Sequence, residues 1–180
     1  VAKEQVQSPT NLPKPIISWK ANQGPAIAGI LSLLVDVVSK NWARHALLVG
    51  ESRPFLPHLV KLSLVTNTGA AFSVGSDNGM IVLIIATAVF SLLLFWYYRR
   101  LKRGFESRLE QYGLAIVIGA AAGNLLDRYL YLRVTDFLEF TFVNFPVFNF
   151  ADIMIDVGIA LIILSTLRQP KIPLDRSSRE

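Results

Sequence analysis

Two aspartates, Asp136 and Asp152, are the residues of this chain best suited to chemistry. They lie in residues 119–158, where two apolar segments, 112–126 and 153–167, flank a connection that also carries Asp127, Arg128 and Asn149. Ionisable and amide side chains gathered where apolar spans end are costly to keep there, which marks them as a candidate site. Two carboxylates held close cannot both ionise, so one keeps a proton while the other stays charged. The charged partner can take a proton from water, and the protonated partner can donate to a substrate carbonyl and then to a leaving amine. Such a pair titrates as a unit. Other routes to peptide hydrolysis are thinly represented. The chain has no Cys, and its two histidines, His45 and His58, do not form an HExxH pattern. Ser39 and Lys40 suggest a Ser–Lys dyad, but adjacent residues on a helix do not face each other.

Each candidate also has a plainer explanation. Asp136 taken in isolation reads more readily as a solvated loop residue. Asp152, three residues after Asn149, reads equally as part of a helix N-cap. Asp156 follows Asp152 by four and so shares its helical face, as a supporting carboxylate or a polar contact. Asn124 and Asp127, three apart, share a face of one helix, with Arg128 beside them. Arg128 can orient a carboxylate or hold a substrate carbonyl, and Asp127 can instead form an ion pair with Arg128 or Arg133. Asn67 is either a substrate contact or a turn residue. Lys40 is spaced to pair with Asp36 at i,i+4.

The elements that must position these residues are membrane spans. Hydrophobic residues make up 52% of the 180 residues and charged residues only 17%, in long blocks that a soluble domain could not cover. The clearest span is residues 79–98, 20 residues without a charge, closed by Trp96, Tyr97 and Tyr98 and followed by Arg99, Arg100, Lys102 and Arg103. Further spans are expected at about 25–45, 111–126 and 152–167; the last two are short of the ~20 residues a span needs. With four spans, the ends near Asp36, Asp127 and Asp152 fall on one side. Residues 46–77 hold a weak strand pattern at 62–66 and the turn residues Asn67-Thr68-Gly69.

Charge sets an expected orientation. The N-terminal tail (1–24), residues 99–110 and the tail 168–180 together hold 12 Lys and Arg against 5 Asp and Glu. The remainder holds 6 against 8. The positive-inside rule then places both termini in the cytoplasm and the acidic cluster outside. The net charge of +5 is explained this way and not by nucleic acid. The expected fold is an all-α membrane protein, a four-helix transmembrane bundle (25–167) between two cytoplasmic tails. A small extracytoplasmic β-structure is expected between spans one and two.

Five pieces in order resemble the lipoprotein signal peptidase (signal peptidase II) family. They are Asp36-Val-Val-Ser-Lys40, Asn67-Thr-Gly-Ala-Ala-Phe-Ser73, Gly119-Ala-Ala-Ala-Gly-Asn-Leu-Leu-Asp-Arg128, Val134-Thr-Asp-Phe137, and Phe145-Pro-Val-Phe-Asn-Phe-Ala-Asp152 running on to Gly158. The resemblance implies an aspartyl endopeptidase of the bacterial inner membrane, its site toward the periplasmic face. It would cut prolipoproteins before a diacylglyceryl-modified Cys, working as a monomer among membrane lipids with no metal or organic cofactor. It assigns Asp136 and Asp152 as the catalytic dyad. It places Asn67, Asn124, Arg128 and Asn149 where substrate is bound and the site supported, and ties Asp36, Lys40 and Asp127 to folding. Arg133 departs from the family's usual small residue, and Asp156 is outside its catalytic set. The alternatives are a proton- or cation-coupled transporter, or a non-enzymatic membrane scaffold. The acids gather at one face and no paired repeat is present, which disfavours transport.

Overall fold

The computed structural model describes residues 19–69, 78–105 and 107–168. Four helices are long and apolar enough to cross a membrane, and a three-stranded sheet completes the fold. In chain order these are α1 (Trp19–Ala46), β1 (Ser52–Leu56), β2 (Val60–Asn67), α2 (Gly79–Arg103), α3 (Arg108–Tyr131), β3 (Val134–Phe140) and α4 (Phe150–Leu167). Residues 1–18 and 169–180, including most of both expected tails, lie outside the described residues, as do 70–77 of the Asn67-Thr-Gly segment.

The helix ends follow local chemistry. Asn78 caps α2 by accepting from the Ile81 N–H, and Arg100, Lys102 and Arg103 sit in its last turn, where a positive charge meets the helix dipole. Gly104, at φ +93°, ends it. Ser107 caps α3 through the Glu110 N–H. Helix α1 starts six residues before the expected position and carries Pro25 inside it. A tertiary contact accounts for the extension: Gln111 of α3 donates to the Asn22 side chain. Helix α3 continues past 126 to Tyr131, because Asp127 is buried in the protein and not lost to lipid. This relieves the shortfall in length of the third span.

Helix α3 is central and packs against α1, α2 and α4. Half of its span-length window is buried, against 6% for α2, which presents its apolar surface outward. Lipid gives no hydrophobic drive for helices to associate, so close backbone approach has to supply van der Waals contact. Gly119 of α3 meets the main chain of Gly29 in α1, and a Cβ there would overlap the Gly29 carbonyl oxygen.

The sheet corrects one expectation. It is not built between spans one and two alone. Strands β1 and β2 come from there, but the third, β3, comes from the connection between α3 and α4. Both pairings are antiparallel. Asp136, read as a possible loop residue, is therefore a strand residue opposite Val65. Asp is depleted in strands, and residues 134–138 are buried throughout, so no alternation marks them. Between the Leu62–Leu138 and Val65–Asp136 pairs, Ser63 and Leu64 oppose the single residue Phe137, a bulge beside Asp136. Phe137 is 1% exposed and packs against Trp42 of α1 and Phe150 of α4, which seats the sheet on the helix ends.

The Gly119–Gly29 contact leaves no room for a side chain. Gly119→Val is expected to cost about 1–3 kcal/mol, typical of overpacking. A lowered thermal midpoint in detergent micelles would register it.

Candidate active site

Asp152 is placed by the start of α4. Asn149 is the N-cap: its Oδ1 accepts from the Asp152 N–H (3.2 Å), and the Asp152 carboxylate accepts from the Asn149 N–H (3.0 Å). This reciprocal capping box satisfies two helix-end donors at once. The cap reading of Asp152 and the site reading are thus compatible, since one carboxylate oxygen takes the cap bond. The other, Oδ1, accepts from Asn124 Nδ2 at 3.1 Å.

Asp136 is placed by β3. After β3 the chain turns and returns to Phe148, whose main chain bonds with Phe137 and Leu138 at 2.8–3.0 Å. Asn149 follows directly, so its side chain reaches the neighbouring strand residue. Asn149 Nδ2 donates to Asp136 Oδ1 at 2.6 Å. Asn149 therefore touches both carboxylates, one through its side chain and one through its backbone.

The orientation of both amides follows from their neighbours. A backbone N–H can only donate, so the Asn149 carbonyl must face Asp152 N and its NH₂ must face Asp136. An ammonium can only donate, so the Asn124 carbonyl must face Lys40 (Nζ to Oδ1, 2.6 Å) and its NH₂ must face Asp152. Asn149 Nδ2 also donates to Asn124 Oδ1 at 3.2 Å, which joins the two amides. Lys40 is 1% exposed and is paired at 2.6 Å with Asp36, 0% exposed. The remaining Asp36 oxygen accepts from the Ala151 N–H of α4 at 2.9 Å. The spacing-based pairing of Asp36 with Lys40 is present, and its reach extends to both aspartates.

The expected partners of Asp127 are replaced. It pairs with neither Arg128 nor Arg133 but with Arg44 of α1 (3.1 Å), which also donates to Thr135 Oγ1 (2.9 Å). The other Asp127 oxygen accepts from the Thr135 N–H at 2.9 Å. Asp127 thereby ties α1 and α3 to the strand residue next to Asp136. Arg44 was not singled out from the sequence, although a signal exists: Asp36, Lys40 and Arg44 recur every four residues and share one helical stripe.

Arg128 donates to the main-chain oxygens of Asn124 and Gly69, each at 3.3 Å, and lines the cavity. Asn67, at the end of β2, accepts from the Gly69 N–H and bonds Asp136 through its side chain. Ser39 Oγ donates to the Asp36 carbonyl oxygen at 2.9 Å, away from Lys40, whose ammonium is occupied by Asp36 and Asn124. That geometry holds no Ser–Lys dyad. Asp156 is exposed on the same cavity, and Arg133 is exposed between α3 and β3.

Asp136 and Asp152 open together into a cavity of about 570 Å³. Phe140, Phe145, Phe148, Ile153 and Val157 form apolar walls around Asn67, Asn124 and Arg128. Burial, with Asp152 nearby, pushes the Asp136 carboxyl up to about 6, against the hydrogen bonds from Asn149 and Asn67 that favour its charged form. The arrangement is one raised carboxyl and a second carboxylate facing a shared, partly apolar space. That suits general acid–base attack of water on a carbonyl.

A family model described as signal peptidase (SPase) II matches residues 28–168. Curated relatives named lipoprotein signal peptidase include one from Nostoc sp., 35% identical over 80% of this chain and 89% of its own. The protein of that name from Gloeobacter violaceus is 36% identical over 86% and 91%. One from Thermosynechococcus vestitus is 40% identical over 77% and 87%. Two solved structures, each described as a bacterial membrane enzyme, superpose with TM-scores of 0.71 and 0.70 at 25% and 26% identity. They cover 80% and 82% of this chain, and 87% and 94% of their own.

Lys40→Met would strand a buried carboxylate, at an expected cost of about 3–5 kcal/mol. Adding Asp36→Asn should recover part of that loss, because the two changes remove one shared interaction. Unfolding of the single and double variants in micelles tests both expectations.

Proposed function

The chain belongs to the signal peptidase II family, and on that premise we propose that it is an aspartyl endopeptidase removing signal peptides from prolipoproteins. The substrate carries a diacylglyceryl group on a Cys, and the cut falls just before that residue. Asp136 and Asp152 are the catalytic pair. The observation that carries this reading is Asn149, which holds Asp136 with its side chain and Asp152 with its backbone.

In the reaction, ionised Asp152 takes a proton from a water molecule as its oxygen attacks the scissile carbonyl. Asp136 gives its proton to the carbonyl oxygen. The tetrahedral intermediate then collapses: Asp152 passes its proton to the leaving nitrogen, and Asp136 recovers one from the hydroxyl. The C–N bond breaks, leaving a signal peptide with a free carboxyl group and a lipidated Cys with a free amine. Burial supports the assignment of Asp136 as the proton carrier, because it favours the neutral form. Arg128 and Asn67 line the same space and bind the substrate main chain. Asn124 and Asn149 orient the carboxylates, and Asp36, Lys40 and Asp127 hold the helices that present them.

The four helices span the bacterial inner membrane with both termini cytoplasmic and the aspartates at the outer face. This orientation rests on the charge distribution of the loops. A lipid-bearing substrate stays in the bilayer and offers its cleavage point near the headgroups. Its acyl chains anchor it there, at about 0.8 kcal/mol per CH₂ taken out of water, so a monomeric enzyme meets it within the same membrane and needs few sequence-specific contacts.

Purified protein should cleave a diacylglyceryl-modified prolipoprotein in lipid or detergent. Asp136→Asn and Asp152→Asn should each lose roughly 10²–10⁴-fold in rate while remaining folded, and Ser39→Ala should stay active. Cleavage surviving both Asp changes would move the chemistry elsewhere. The pH profile gives a second test. Asp136 must be protonated to act, so kcat/KM should fall as pH rises through about 6. Asn67→Ala removes a bond that favours the charged form, so that limb should move to higher pH.

A further inference from the structure

Asp156 has no place in the mechanism above, and its position is unusual. Helix α4 is 18 residues long, or ~27 Å at 1.5 Å per residue, so it needs its whole length to cross a hydrocarbon core of about 30 Å. Asp156 lies six residues after the first residue of α4, roughly 9 Å along its axis. That places it below Asp152, inside the span. It is exposed, and it makes no hydrogen bond or ion pair among the described residues. Lipid cannot solvate a carboxylate at that depth, so it must face water or a polar ligand. What it faces is the cavity that Asp136 and Asp152 open into, where its neighbours on α4, Ile153 and Val157, are apolar. The other polar lining residues all belong to the hydrogen-bonded cluster at the Asn149 end.

We propose that Asp156 is a substrate-positioning residue that accepts hydrogen bonds from main-chain N–H groups of the signal peptide just before the cut. This rests on the peptidase function proposed above. The signal peptide enters the cavity from the membrane side, so the residues before the cut pass Asp156 on their way to Asp152. To be cleaved, that stretch must leave the helical state. Unwinding frees main-chain N–H groups in a low-dielectric space where each unsatisfied donor is costly. An acceptor one helical turn below the catalytic pair meets that need. It holds the strand without contacting the scissile bond, so its contribution belongs to binding and not to the chemical step.

The test uses the whole protein in micelles with a diacylglyceryl-modified peptide substrate. Asp156→Val should raise KM roughly tenfold, as expected for a lost hydrogen bond to a charged acceptor, with kcat within about twofold. Asp156→Asn keeps an acceptor oxygen and should recover most of the loss. A depsipeptide series then replaces one N–H at a time, within the four residues before the cut, by an ester oxygen. At one position the ester should raise KM for the wild type and have no further effect in Asp156→Val, since both remove the same bond. An unchanged KM in Asp156→Val overturns the proposal, as does a fall in kcat alone or the absence of any coupled position. Failure of wild type to cleave would instead overturn the peptidase function itself.

Discussion

A lysine ammonium sealed inside the bundle is the constraint on which the rest of the site depends. Lys40 can donate hydrogen bonds but accept none, and at 1% exposure it has no water to turn to. Asp36 neutralises it, and the Asn124 carbonyl completes its shell. Once that carbonyl is committed, the amide nitrogen of Asn124 has a single direction left, toward Asp152. Asp36 in turn takes the Ala151 N–H, so the first turn of α4 is docked onto α1. A fixed charge on one helix thus sets the orientation of an amide on a second and of a carboxylate on a third. Gly123 makes this possible, because a Cβ there would overlap the Asp36 carboxylate.

The second constraint is the placing of two carboxylates on one cavity. Asp152 sits in the first turn of α4, where it accepts from the cap N–H. Asp136 sits in a strand, is 3% exposed, and its burial pushes its carboxyl up. Placing one aspartate on a helix and the other on a strand lets a short distance separate two different environments. The sheet therefore serves as more than a cover. It carries Asp136 to α4, and the Arg44–Asp127–Thr135 contacts lock that strand onto the helices.

The local features were legible from the residues. Apolar blocks mark the spans because hydrocarbon demands length and apolarity. Asp36 and Lys40 announce their pairing because four residues are about one helical turn. Asn149 and Asp152 announce a cap because the bare N–H groups of a helix start need acceptors. Asn124 and Arg128 stand out as polar groups at the edge of an apolar run, whereas Asn67 reads locally as a turn residue and Asp136 as a loop residue, and the family resemblance is what ties those two to the site. These regularities arise from covalent geometry and solvation within a few residues, and any chain obeys them.

What connects those features is not local. Nothing near Val134 announces that it pairs with Asn67 across 67 positions of chain, or that Asp127 prefers Arg44 of α1 to the adjacent Arg128. Nor does any spacing dictate that one asparagine should contact both aspartates. Such choices are made when packed helices exclude water and each buried donor must find an acceptor among whatever groups the fold has brought near. Spans, caps and the inventory of polar groups can be read from the residues, since short-range geometry governs these. The partners those groups take depend on the packed bundle, because satisfying buried polar atoms is a property of the whole enclosed set.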